Sequence, residues 1–358
     1  MQTTKTNSTA KLIPVKKASW KKMVWHRIGF SNQPNLTIYP GYGHTEHVVL
    51  YGHALCLSPL PRKKYRNFFL INLFALIRLF IVRPISGATV QLHWGNQLII
   101  SKTDTDGFIK LNWRSDIPLN FGWHNASVYL VDSKNEIIAA ANAGFFVPHS
   151  TQFAFISDID DTFLVSHTSE LRKRLAVLFT RNAHTRKPFE GVVKHYRMLA
   201  VAQTAADEPN PFFYVSSSEW NLFSYISDFI KINELPNGIL LLSTMKNLFH
   251  FLTAGGNNHS RKFARIVRLL KDFPKQKFVL LGDSSQQDPY IYESIVHHFP
   301  ERIHAVYIRD IAKKNSEPVQ TVLQKLEASG IPCCFFVHSI EAIAHSKKIG
   351  LISQVLPH

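Results

Sequence analysis

The sequence predicts an α/β protein built in two parts, a smaller β-sandwich followed by a doubly wound parallel sheet. Three observations carry this. Between residues 87 and 147, short strand-like runs are separated by turn signals such as TDTDG (Thr103 to Gly107) and DSKNE (Asp132 to Glu136), the spacing of a sandwich. After Pro148, strand-like runs alternate with helical ones, which implies parallel strands joined by crossover helices. The first of these runs, Phe153 to Ile156, is a short apolar strand that delivers Asp158, Asp160 and Asp161, then Thr162, to the sheet edge where such folds bind ligands. The expected divisions are a basic arm over 1–33, the sandwich over 34–150 with an inserted amphipathic helix near 62–83, the parallel-sheet part over 151–345, and a tail over 346–358.

The arm is read from its charge. Residues 1–66 hold eleven Lys/Arg against the single acid Glu46, in a chain of formal net charge +16, so this end is expected to meet something anionic. A merely solvated basic tail is the plain alternative. Trp20 and Trp25 among the lysines suit a membrane interface and equally suit stacking on single-stranded nucleic acid. No nucleic-acid-binding motif accompanies them, so no nucleic acid partner is expected. The first residues lack the apolar centre of a secretory signal, and Cys56, Cys333 and Cys334 make neither a disulfide framework nor a zinc spacing. A reducing, cytoplasmic setting is expected, with the sequon-like Asn7, Asn35 and Asn125 unmodified. The adjacent pair Cys333 and Cys334 reads as core.

Within the first part, LTIYPGYG and HVVLYGHALCL read as strands. Next comes PRKKYRNFFLINLFALIRLFIVRP, in which Arg62, Lys63, Lys64 and Arg66 precede an apolar run from Phe68 to Val82. The run is shorter than the roughly 20 residues of a spanning helix. Joined to its cations it has the make-up of an interfacial anchor on anionic lipid, and the alternative is a helix buried against the protein body. The strands ATVQLHW, QLIISKT, GFIKLNW, ASVYLVD and EIIAAANAGFFV follow. Asp104, Asp106 and Gly107 resemble the start of a calcium loop but lack its later ligands, so a hairpin turn is expected there.

In the second part, FAFIS leads to a helical stretch near Glu170 to Phe179, and PFEGVVKHYRMLAVA starts a helix with Pro188 near its N-terminus. The strand PFFYVSS precedes the helix EWNLFSYISDFIK, and GILLLS precedes a helix from about His259 to Lys271. KFVLLGDSS, IHAVYIRD and CCFFVH are strands around the helices DPYIYESIVHHF and PVQTVLQKLEAS.

Four places in this half carry polar residues that fit one reaction: DIDDT, Ser216 at the end of PFFYV, Lys262 on the helix before KFVLL, and Asp283 with Asp288 in GDSSQQD. Asp158 and Asp160 lie two apart, so in extended chain they share a face, and like charges so close call for a cation or a proton. Phosphoryl transfer needs a nucleophile, a metal and a cation to neutralise spreading charge, and an acid for the leaving oxygen. A carboxylate can attack, and a second with a raised pKa can act as acid and then base.

These motifs resemble the haloacid dehalogenase superfamily, with a Rossmann-like sheet. FISDIDDT, PFEGV, PFFYVSSSEW and FVLLGDSSQQDP with the following IY are similar to the catalytic domain of actin-patch type phosphatidate phosphatases and their bacterial relatives, across Phe153 to Asp310. The resemblance implies Asp158 as nucleophile and Mg²⁺ ligand, and Asp160 as general acid/base with its backbone carbonyl on the metal. It implies Ser216 as the phosphate-binding hydroxyl, Lys262 as the cation on the phosphoryl group, Asp283 as a further metal ligand, and Asp288 as a supporting metal ligand or a partner of the ligands. Thr162 and Ser217 are expected at the substrate, and Lys246 is the alternative to Lys262. The implied substrate is phosphatidate, met at an anionic phospholipid membrane surface by peripheral association. Two departures stand out: Ser285 where the family reads glycine, and Glu219 where it reads proline.

Plainer roles compete at several positions. Asp161 reads as a helix-start residue, and Ser217 and Ser218 as caps of the following helix. An EF-hand in DIDDT fails at Phe163 and Ser169, and a serine nucleophile elbow at VSSSEW lacks its glycines. His44, Glu46 and His47 have a faintly zinc-like spacing but read as loop residues. Two other functions remain open: a phosphatase for soluble or protein-bound phosphomonoesters, and a non-catalytic phospholipid-binding module. Retention of both Asp158 and Asp160 weighs against the module.

Overall fold

The structure is a computed structural model that describes residues 33–44, 46–57, 59, 78–149, 152–159, 188–205, 207–245, 259–285 and 287–353. The basic arm, the bulk of the 62–83 segment, and the expected helix near Glu170 lie outside these residues.

The strands β1 (Asn35–His44), β2 (His47–Leu57), β3 (Arg83–Pro84), β4 (Thr89–Trp94), β5 (Gln97–Lys102), β6 (Phe108–Arg114), β7 (Gly122–Val131) and β8 (Ile137–Val147) form one eight-stranded sheet. Its order is β3-β2-β1-β8-β7-β4-β5, with β6 paired to β2. All of its pairings are antiparallel except β1 with β8. One face encloses a core of Val48, Leu50, Val90, Leu92, Leu111, Val128 and Phe145. β2 is buried along nearly its whole length, because its other face meets the second half of the chain. At Gly41 an added Cβ would fall 2.1 Å from the Val49 carbonyl oxygen, so only glycine allows the close approach at the β1 bulge.

The turn at Asp104 is correctly read as a turn, with Asp104 Oδ1 accepting the Asp106 and Phe108 amides at 2.9 and 2.8 Å. It is not a hairpin: β5 pairs with β4 and β6 with β2, so the turn is a corner.

The second sheet contains β9 (Ala154–Asp158), β10 (Phe212–Glu219), β11 (Gly238–Ser243), β12 (Phe278–Asp283), β13 (Ile303–Arg309) and β14 (Cys333–Phe336). Its helices are α1 (Val192–Ala200), α2 (Phe223–Ile232), α3 (His259–Asp272), α4 (Asp288–His298), α5 (Ser316–Ala328) and α6 (Ser339–Lys348). Every pairing is parallel and the order is β11-β10-β9-β12-β13-β14. The order reverses between β9 and β12, the kind of switch point at which α/β sheets open a crevice for ligands. All five residues of β9 are buried, as befits a central parallel strand covered on both faces.

Pro188 does not open α1, which begins at Val192 after Gly191 in a left-handed conformation (φ 73°). Cys333 and Cys334 are buried as read, and burial pushes both thiols up to about 12. The chain after residue 345 continues α6 to Lys348 and buries Leu351 and Ile352.

The two sheets share a core. Tyr39 stacks on Trp220 with centroids 4.1 Å apart, and Tyr42 donates to Asp272 Oδ2 at 2.7 Å. The end of the apolar 62–83 segment joins it: Leu79 and Phe80 are buried, and Asn221 donates to the Leu79 carbonyl at 2.9 Å. At those residues the segment is held by the protein body.

Candidate active site

Three elements bring charge to the C-terminal edge of the parallel sheet. β9 ends on Asp158, β12 ends on Asp283, and α4 begins with Asp288. All three are fully buried, and one carboxylate oxygen from each lies within 4.8 Å of the others. Lys262, on α3, donates to Asp158 Oδ1 at 2.7 Å and pairs with Asp288 Oδ1. Lys246, its alternative, lies outside the described residues, as do Asp160, Asp161 and Thr162.

Local sequence explains the convergence. Four residues separate Asp283 from Asp288, enough for the chain to leave the strand, turn, and start α4 with its acidic first residue at the favourable end of the helix dipole. Gly282 makes room for it: an added Cβ would sit 2.6 Å from Asp288 Oδ2 and 2.8 Å from Asp288 Cβ. Asp283 is fixed by Ser285, whose amide and hydroxyl both donate to Oδ1, at 2.7 and 2.6 Å. The serine that departs from the family's glycine therefore holds an acid of the cluster. The neighbouring Ser284 accepts the Ile311 and Ala312 amides and donates to Asp310 Oδ1 at 3.0 Å, tying this loop to the end of β13.

Three buried carboxylates meet here, and Lys262 pairs with two of them. Burial pushes the Asp288 carboxyl up to about 7 despite the Lys262 cation beside it, with Asp158 adding to the rise. Burial works against the Lys262 ammonium, but the Asp158 and Asp288 carboxylates outweigh it and hold its pKa above the ordinary value. Asp288 Oδ2 is buried without a hydrogen-bond partner. Three convergent carboxylate oxygens, one of them from Asp288, whose Oδ2 is unsatisfied, are an all-oxygen donor set that fits a hard divalent cation such as Mg²⁺.

Ser216 is buried near the end of β10, in the strand paired with β9, where Val215 is in register with Asp158. Its Oγ accepts the Ser218 amide at 2.9 Å. Ser217 lies beside it, largely buried. Neither Ser217 nor Ser218 occupies a cap position: β10 continues to Glu219, and the caps are Glu219 for the 3-10 turn and Leu222 for α2. Glu219 is itself buried. The zinc-like trio does not assemble: the His44 and His47 rings lie 5.6 Å apart, while Glu46 pairs with Arg114.

Arg265 is the residue that sequence reasoning missed. It donates to the Ser216 carbonyl at 3.1 Å and to Ser243 Oγ at 3.0 Å, bracing the ends of β10 and β11. Its position three residues after Lys262, on the same side of α3, was the available signal.

Residues 153–310 match the family model described as "Phosphatidate phosphatase APP1, catalytic domain". Phosphatidate phosphatase APP1 of Saccharomyces cerevisiae is 31% identical over 228 residues, covering 63% of this chain and 35% of the yeast protein. A protein of Schizosaccharomyces pombe described as uncharacterized, C29B5.04c, is 25% identical over 189 residues, covering 50% of this chain and 28% of that one. The chain thus spans about a third of the length of these curated relatives. The matched region, residues 153–310, is the part of the chain that carries Asp158, Lys262, Asp283 and Asp288.

Proposed function

We propose that this protein is a Mg²⁺-dependent phosphatidate phosphatase that releases phosphate and diacylglycerol through an aspartyl-phosphate on Asp158. The carrying observation is the buried group of Asp158, Asp283, Asp288 and Lys262 at the switch point of the sheet, inside the region that matches the phosphatase family. The reading includes a haloacid dehalogenase-like, Rossmann-like fold over 151–345 and a β-sandwich over 34–150. It also includes peripheral association with an anionic membrane, through the basic arm and the 62–83 segment, in the cytoplasm.

Asp158, held by the Lys262 ammonium, attacks phosphorus with a carboxylate oxygen. The P–O bond to the glycerol oxygen breaks, and that oxygen takes a proton from Asp160 and leaves as the alcohol. Water then attacks the phosphorus of the acyl-phosphate, gives its proton to Asp160, and frees phosphate and the Asp158 carboxylate. Lys262 and the Ser216 hydroxyl steady the phosphoryl oxygens, and Thr162 and Ser217 line their binding site. Asp158, Asp283 and Asp288 would hold Mg²⁺, with the Asp160 carbonyl. When bound, the ion neutralises charge on the phosphoryl oxygens.

The deciding experiment compares phosphate release from phosphatidate in mixed micelles with release from a panel of soluble phosphomonoesters, for the wild type and Asp158→Asn. Mg²⁺-dependent release that favours phosphatidate, and vanishes in Asp158→Asn while lipid binding persists, is expected. Unchanged turnover in the variant would sink the nucleophile assignment, and a preference for soluble phosphates would sink the substrate.

A further inference from the structure

A cavity of about 170 Å³ opens between the two sheets, beside the carboxylate group but separate from it. One side is α3, which presents Arg261, Arg265 and Arg268, spaced four and three residues apart, so that they line one face of the helix. The other side is aromatic and apolar: Tyr51 and Phe108 from the first sheet, Trp220 and Met245 from the second half.

The arginines are poorly compensated. Arg261 donates to Thr244 Oγ1 at 3.2 Å, Arg265 to the Ser216 carbonyl and Ser243 Oγ, and Arg268 to the Tyr51 hydroxyl at 3.2 Å. All of these acceptors are neutral, and no salt bridge among the described residues includes any of the three. Asp106 is the acid on the cavity wall; Asp272 lies one turn beyond Arg268, where Lys110 also approaches. Burial and the neighbouring Arg261 and Arg268 together push the Arg265 guanidinium down to about 10. His53 supplies a second, independent sign. It lines the cavity, its Nδ1 meets the Tyr39 hydroxyl at 3.0 Å, and its buried Nε2 has no partner. Unsatisfied buried nitrogen and clustered guanidinium groups together mark a place for an oxyanion.

We propose that this cavity is a second anion site, which takes the phosphate of an anionic phospholipid in the arginine arc and packs the glycerol and first acyl carbons against Phe108, Trp220 and Met245. The volume is below the roughly 300–1,000 Å³ of a pocket for a drug-sized ligand, so it suits a headgroup and the start of a chain. Arginine matches phosphate bidentately, and Leu241, Leu242 and Met245 on the wall suit a hydrocarbon better than the polar edge of a base. Such a site would hold the protein at an anionic surface with the reaction centre alongside.

The test measures equilibrium binding by calorimetry to full-length Asp158→Asn, so that turnover does not interfere. The probes are monomeric dihexanoyl-phosphatidylglycerol, dihexanoyl-phosphatidylcholine, inorganic phosphate and AMP. Phosphatidylglycerol is expected to bind at least about tenfold more tightly than the other three, and Arg261→Gln/Arg268→Gln to weaken it by about tenfold or more, since each arginine supplies a charge-assisted hydrogen bond. Both arginines are exposed, so the fold should tolerate the change. Thr244→Glu, at another exposed position, places a carboxylate within reach of Arg261 and should abolish binding from the opposite direction. Phosphatidylglycerol affinity unmoved by these variants would overturn the proposal. So would equal affinity for phosphatidylcholine, for inorganic phosphate (an anion site without a lipid component) or for AMP (a nucleotide site). Because binding is read in a variant without the nucleophile, this result and the phosphatase assay fail independently.

Discussion

Replacing Lys262 with methionine tests the electrostatics of the carboxylate group directly. The lysine side chain is 3% exposed and its two partners, Asp158 and Asp288, are 0% and 1% exposed, so solvent can do little to screen what remains. Methionine keeps the stem and removes the charge. Losing one partner of a buried ion pair costs about 3–5 kcal/mol, because the other is left uncompensated. Against a total stability of about 5–15 kcal/mol, that is a large fraction. At about 2–4 °C per kcal/mol for a domain of this size, the melting midpoint should fall by roughly 6–20 °C in a chelating buffer at pH 8. The cause can be separated from lost packing in two ways. At pH 5 the deficit should shrink, since a protonated carboxyl needs no counter-charge. Lys262→Met/Asp288→Asn should also recover part of the midpoint at pH 8. A midpoint unchanged at pH 8, or a deficit equal at pH 5 and pH 8 and not recovered by the second substitution, would refute the reasoning.

Two further outcomes follow from the same cluster. In metal-free protein the raised Asp288 carboxyl means that the native state holds its proton more tightly than the unfolded chain. The stability this contributes is therefore present below the ordinary carboxylate pKa and lost as pH rises through about 7. Asp288→Asn should remove that decline, read as the difference between wild-type and variant melting midpoints across pH 4–8; parallel curves would contradict it. Gly282→Ala should cost about 1–3 kcal/mol by overpacking and displace the Asp288 carboxylate, lowering both the midpoint and Mg²⁺ affinity; a variant with wild-type values of both would show that the strand has room.

Much of the parallel sheet was legible because its strands are continuous apolar runs, punctuated by the polar residues that end them. β9 and β12 end on Asp158 and Asp283, and the helix that carries Lys262 lies where the sequence places it, from His259 on. What was less legible depended on contacts across the fold. The turn at Asp104 has local chemistry identical for a hairpin and a corner, and only the partners of β5 and β6 distinguish them. The caps assigned to Ser217 and Ser218 failed because β10 continues through them, held by pairing to β11 at Glu219. For Phe68 to Val82 the sequence left an interfacial anchor and a helix buried against the protein body both open, and at Leu79 and Phe80 the choice is made by residues far along the chain that bury them.

The division of the chain into a sheet that recruits and a sheet that reacts is too sharp for what α3 does. From its N-terminal part Lys262 reaches the carboxylates, and one turn later Arg265 braces the strand ends beside Ser216. Arg268 then meets Tyr51 on β2, and Asp272 accepts a hydrogen bond from Tyr42 on β1. A single helix of fourteen residues is therefore held at one end by the first sheet and presents the buried ammonium at the other. Tyr42, Tyr51 and Trp220 are part of the same core as β9 and β12, so a change at the sheet–sheet contact acts on the placement of Lys262 through packed side chains. The first sheet is in this sense a support of the reaction centre, and the arginine-lined cavity lies along the surface where that support is made.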